Sequence, residues 1–173
     1  ASAMMSEYPD RFLRIGDFKQ MTDIDQESLI RNIISKPDFA ELRPSGRPDV
    51  YLPSIIRTIS DAKKDAFTPE LIRKYVKEES SKIKKDETNI SSRGVTKGKL
   101  KAEALDKLEK LEKTLLFADV YEKYEEEKQK AKLRDYDDLI LEFLITLRTA
   151  ELFLRLIQER FLYLLVDEHQ DTN

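Results

Sequence analysis

The chain has 173 residues, 38% charged and 40% apolar, with no cysteine and a formal net charge of −3. That length suits one domain with a real core, and the lack of cysteine excludes both a disulfide framework and a thiolate metal site. The negative balance excludes bulk polyanion binding, so any nucleic-acid contact has to be local, and no apolar stretch approaches the roughly 20 residues of a membrane helix.

Few glycines and prolines among so many charges predict long amphipathic helices with charged outer faces. Ala1-Ser2-Ala3 ahead of Met4 reads as a cloning scar. Asp23 or Asp25 is expected to cap a short helix with Leu29, Ile30, Ile33 and Ile34 on its apolar face, ended by Lys36-Pro37. Residues 37–50, punctuated by Pro44, Gly46 and Pro48, read as loop. Pro53 fits the first turn of a helix carrying Ile55, Ile56 and Ile59, and Thr68-Pro69-Glu70 is a helix start with the Thr as cap. Leu71, Ile72, Tyr75 and Val76 are expected to form its inner face.

From Ser80 to Gly98 the apolar period is lost, which predicts a mobile stretch. A long helix is predicted from about Lys99, with Leu100, Ala104, Leu108, Leu111, Leu115, Val120, Tyr121 and Tyr124 inside and Glu109, Lys110, Glu112 and Lys113 on the solvent side. A coiled-coil dimer over residues 99–133 competes, but its seam is short and the two tyrosines suit a globular core better. Asp135 can cap a following helix through Leu147, a break is expected near Arg148-Thr149, and a last helix runs to Arg160. Phe161 to Val166 reads as the single strand, whose ladder partners have to come from elsewhere.

That strand would present Asp167 and Glu168 at its C-terminal end, where open α/β folds bind ligands. An Asp there can hold Mg²⁺ and a neighbouring Glu can take a proton from water, although for a bare Asp-Glu pair a polar turn is the better account. The complete string Val166-Asp167-Glu168-His169-Gln170-Asp171-Thr172-Asn173 resembles motif II of the UvrD/Rep/PcrA group of superfamily 1 DNA helicases, with His169 in place of the usual aromatic. Leu156 to Phe161 followed by Tyr163-Leu164-Leu165 is similar to the helix-then-strand approach to that motif. Asp135 to Ile140 resembles the family's DYDDL signature, and Val120 to Tyr124 its VYxxY helix. Asp23 to Gln26 with Leu29-Ile30 resembles the opening of the inserted subdomain 1B, and Ile59 to Lys64 with Thr68-Pro69-Glu70 its IxxxK…P element.

The resemblance implies a mainly α fold: helical subdomain 1B over residues 4–160, then the strand and motif II of the α/β motor domain 1A over residues 161–173. It implies an ATP-dependent DNA helicase as the parent, cytoplasmic, 3′-to-5′ and in DNA repair, using ATP and Mg²⁺. DNA at a single-strand/duplex junction and the remaining motor domains (1A, 2A and 2B) would be its partners. Asp167 would be the metal ligand, Glu168 the general base and Gln170 a sensor beside the γ-phosphate, with Asp171 structural and His169 packing. An AddA/RecB-like nuclease-helicase shares motif II and stays open, as does a non-enzymatic helical interaction module. None of the four glycines begins a G-x-x-x-x-G-K-[ST] phosphate loop, so the chain reads as a piece of a larger motor, inactive and without nucleotide on its own. Asp137 and Asp138 read as charges that offset a positive helix end. Lys82, Lys84, Lys85, Arg93, Lys97, Lys99 and Lys101 form a marked cationic excess. They are either a solvated charge run or a sequence-independent contact with duplex phosphates, and no aromatic is interleaved there for base stacking.

Overall fold

Residues 2–12, 18–91, 98–163 and 165 are described by a computed structural model, in which helices dominate. In chain order the elements are α1 (Ser2–Glu7), β1 (Lys19–Gln20), α2 (Asp23–Ile34), α3 (Leu52–Lys64), α4 (Pro69–Lys85), α5 (Ala102–Lys130), β2 (Leu133–Arg134), α6 (Tyr136–Thr149) and α7 (Glu151–Arg160).

Helix starts follow local chemistry. Thr22, not Asp23 or Asp25, caps α2: its hydroxyl accepts from the Asp25 amide at 3.2 Å, and the Asp25 carboxylate accepts from the Thr22 amide at 2.9 Å. Asp25 sits at the third helical position, where a carboxylate reaches back to the cap, so the pair forms a capping box. Thr68 caps α4 with Pro69 in its first turn, as expected. Between α2 and α3 the expected loop contains a 3₁₀ turn, Pro37–Leu42, that buries Phe39.

Two expectations about α4 are corrected. The helix runs on to Lys85, through part of the stretch whose lost apolar period predicted mobility. Its last turn carries Lys82, Lys84 and Lys85, which suit the negative end of a helix without any need for burial. Second, of the four residues expected on its inner face only Ile72 and Val76 are buried; Leu71 and Tyr75 point out. A 100° step per residue lets one edge of an apolar pair face the core while the other meets solvent. Arg73 fastens α4 to α5 with a fork onto Glu122 at 3.1 and 2.7 Å and a further bond to Asp119 at 2.8 Å.

The larger core unites α2, α3, α4 and the second half of α5, with Ile30, Ile33, Ile59, Val120 and Tyr124 fully enclosed. Tyr121 and Tyr124 are core residues, as their place in the predicted long helix implied. A smaller core gathers Met5, Phe12, Leu139 and Phe153 from α1, the turn after it, α6 and α7. Phe153 meets Tyr8, Phe12 and Phe143 edge-on, the geometry aromatic quadrupoles favour.

The β structure is not where the sequence placed it. Phe161, Leu162, Tyr163 and Leu165 form no strand; Leu164 and Val166 lie outside the described residues. An apolar run without a ladder partner has nothing to pair with. Instead β1 and β2 pair in parallel, Lys19 with Leu133 and Gln20 with Arg134. Among the described residues no helix is long and apolar enough to cross a membrane.

Candidate functional site

Asp167, Glu168, His169, Gln170 and Asp171, which resemble motif II, lie outside the described residues, as do Arg93 and Lys97 of the basic stretch. The helices that precede that string are described: α6, a break at Ala150, then α7. Leu152, Leu156, Phe161, Leu162, Tyr163 and Leu165 are exposed along that approach.

The basic stretch is built at one end of the α4–α5 pair. Lys82, Lys84 and Lys85 form the last turn of α4. A short turn, Glu87–Asn89, and an antiparallel bridge between Ile90 and Leu100 then bring Lys99 and Lys101 back beside them. Backbone bonds from Lys101 to Asn89 at 2.8 Å and from Ser91 to Lys99 at 2.9 Å hold that return. Asp86 lies among these cations; the Thr88 hydroxyl and amide lower its carboxyl pKa, and the charges of Lys101 and Lys107 help. Lys82 pairs with Glu79 at 2.5 Å, while Lys84, Lys85, Lys99 and Lys101 are exposed without an ion-pair partner among the described residues.

A third constellation, not foreseen, brings distant segments together. Lys63 of α3 and Lys128 of α5 are each only 1% exposed. Lys63 Nζ lies 2.6 Å from Asp135, 2.5 Å from Asp138 and 2.9 Å from Glu125. Lys128 Nζ lies 2.9 Å from Asp135, 2.6 Å from Asp138 and 3.0 Å from Glu125. The approach of Glu125 Oε1 to both is an ion pair without a well-aligned hydrogen bond. The Tyr124 hydroxyl donates to Asp135 at 2.8 Å and accepts from Gln26 at 3.1 Å, and both ammonium groups sit over the Tyr124 ring.

Asp135 and Asp138 are also the capping box of α6, each accepting the other's backbone N–H. The cap was legible from the sequence. The second duty of both carboxylates was not, because their partners lie on other helices. Glu125, Asp135 and Asp138 are close enough together to suggest a cation site. Two lysine ammonium groups already lie within ion-pair distance of all three, so the cluster is a salt-bridged joint that fixes where α6 begins.

Electrostatics make this joint pH-sensitive. Burial alone would raise the Asp135 pKa, but Lys63 and Lys128 outweigh it and hold the carboxyl well below the usual range. Burial would lower Lys63, but Glu125, Asp138 and Asp135 outweigh it and raise the ammonium. Since Asp135 has a folded value below its unfolded value of about 3.9, its contribution is complete above about pH 4 and is lost as pH falls through the folded value. The Lys63 contribution is complete below about pH 10.4 and is lost as pH rises through its raised folded value. Urea midpoints of the wild type should therefore fall from pH 5 to pH 2, and Lys63→Met should flatten that fall, because Asp135 is then less depressed. An equal slope in both proteins would show that other carboxylates govern acid unfolding.

The family model for the UvrD/REP helicase N-terminal domain matches residues 1–173. No curated protein and no solved structure matches the chain.

Proposed function

Since the chain belongs to the UvrD/REP helicase family, we propose that it is the part of an ATP-dependent, 3′-to-5′ DNA helicase that runs from helical subdomain 1B into motif II of motor domain 1A. The observation that carries this reading is the family match over residues 1–173 together with the string Val166 to Asn173. Helicases of this family use ATP and Mg²⁺ and act on DNA.

In this reading Asp167 offers the hard carboxylate oxygen that Mg²⁺ takes, and Glu168 accepts a proton from the attacking water. Gln170 would sense the γ-phosphate of the bound nucleotide. Bound ATP with Mg²⁺ supplies the transferable phosphoryl group and the charge that neutralises it. The exposed apolar residues Leu152, Leu156, Leu162, Tyr163 and Leu165 suit burial against the sheet of the motor domain, which would give the segment after Arg160 its ladder. The joint at Asp135 and Asp138 gives the helices leading to motif II a fixed starting point.

The basic end of α4–α5 is the proposed duplex contact. Phosphate contacts release condensed counterions, so affinity should fall steeply with salt and lie no tighter than about 10⁻⁴ to 10⁻⁶ M. Anisotropy of a labelled duplex at two salt concentrations tests this, with Lys97, Lys99 and Lys101 changed to Glu in a parallel sample. Undiminished binding by that variant moves the contact elsewhere, and no binding at low salt leaves a solvated charge run. The wider reading is tested by ATP-dependent strand separation with the helicase that carries this segment, on substrates with a 3′ or a 5′ single-stranded tail.

A further inference from the structure

We propose that the outer face of α4 is a binding site for single-stranded nucleic acid, where Tyr75 stacks on a base beside Leu71 and Phe67 while Lys74 and Lys85 meet phosphates. The inference rests on the DNA-binding reading above and adds a second contact with a different chemistry.

Scattered exposed apolar residues are ordinary. These three are not scattered. Phe67, Leu71 and Tyr75 are 48%, 46% and 53% exposed and recur at intervals of four residues, so Leu71 and Tyr75 lie on one face about 6 Å apart along the axis. Neither belongs to the seam with α5, which Ile72 and Val76 fill and Arg73 fastens.

Charge says what kind of partner such a stripe suits. α4 carries six Lys and Arg residues against three Glu, whereas its neighbour α5 carries nine acids against six Lys. The same helical spacing puts Lys74, Lys82 and Lys85 on the face of Leu71 and Tyr75, with Glu78 and Glu79 as the acids among them. Lys82 is shared with Glu79, but Lys74 and Lys85 have no ion-pair partner among the described residues. Cations alone would serve a duplex, whose bases are stacked inside and offer no ring face. An aromatic interleaved with free lysines is useful to a strand with unstacked bases, which pairs stacking with backbone attraction. The face runs at its C-terminal end into Lys85, so a strand leaving a duplex at the basic end could lie along α4.

The test is anisotropy of the full chain with labelled oligo(dT) and with a blunt duplex at low salt. Tyr75→Ala should weaken oligo(dT) binding by about tenfold, leave duplex binding unchanged and be rescued by Tyr75→Phe, which keeps the ring. The half-exposed site should tolerate the change, and circular dichroism checks that helicity is kept. Wild-type affinity of Tyr75→Ala for oligo(dT) overturns the proposal while leaving the duplex reading standing if Lys99→Glu with Lys101→Glu abolishes duplex binding. Equal weakening of both probes by Tyr75→Ala also overturns it, because stacking would not act on a duplex. Failure of the wild type to bind either probe overturns both readings. If only an acidic amphipathic peptide then binds through Tyr75, the face belongs to a protein partner.

Discussion

Exchanging Lys128 for Met is expected to lower the unfolding free energy by about 3–5 kcal/mol, the usual cost of removing one partner from a buried ion pair. The wild-type joint sets two ammonium groups against the carboxylates of Glu125, Asp135 and Asp138. Losing Lys128 leaves three carboxylates facing Lys63 alone, in a site where the lysines are almost wholly removed from water. Removing an acid should act differently. Glu125→Gln leaves two positive and two negative groups and takes away a contact that was poorly aligned, so its cost should stay below about 1 kcal/mol. Urea unfolding of both variants at pH 7 measures the contrast. Equal costs would show that packing, not charge balance, governs the joint.

In the helicase that carries this segment with its phosphate loop, Glu168→Gln is expected to cut ATP turnover by at least about 100-fold, the lower end of what a positioned base contributes. Nucleotide affinity should be kept, because the amide has nearly the shape of the acid and loses only the ability to take a proton. Asp167→Ala should instead weaken nucleotide binding in the presence of Mg²⁺, since one metal ligand is gone. Steady-state turnover and equilibrium binding on the same preparations separate the two routes. Near wild-type turnover in Glu168→Gln would sink the assignment of the base.

What the sequence made legible is local. Thr68 followed by Pro69, and Asp135 three residues before Asp138, are caps whose chemistry closes within one turn, and both are present. The outward placement of Leu71 and Tyr75 was hidden because apolar residues adjacent to Ile72 and Val76 look like one inner face until the partner helix shows how wide the seam is. β1 and β2 are two-residue strands with no alternating pattern, held by backbone bonds that no side-chain periodicity announces. The salt-bridged joint joins Lys63 to Asp135 across 72 residues of chain. Lys63 continues the four-residue series of Ile55 and Ile59 on the inner face of α3, but a lysine at the end of such a series is expected to reach solvent. Asp167 and Glu168, which the sequence read as motif II acids, lie outside the described residues.

The parallel pairing of β1 with β2 has an architectural consequence. The Lys19 amide donates to the Lys132 carbonyl at 2.9 Å and the Met21 amide to the Arg134 carbonyl at 2.8 Å, so the chain leaves and returns through a single clasp. Everything from α2 to α5 is thereby a plug-in whose two ends are neighbours. Lengthening such an excursion is cheap, because closure entropy grows only logarithmically and costs about 0.6 kcal/mol per doubling of length. The turn that joins α4 to α5, near the Ile90–Leu100 bridge, is thus where insertions should be tolerated. The clasp itself, with Lys63 and Lys128 locked onto the residues just after it, is where grafting between relatives would have to cut on both strands at once.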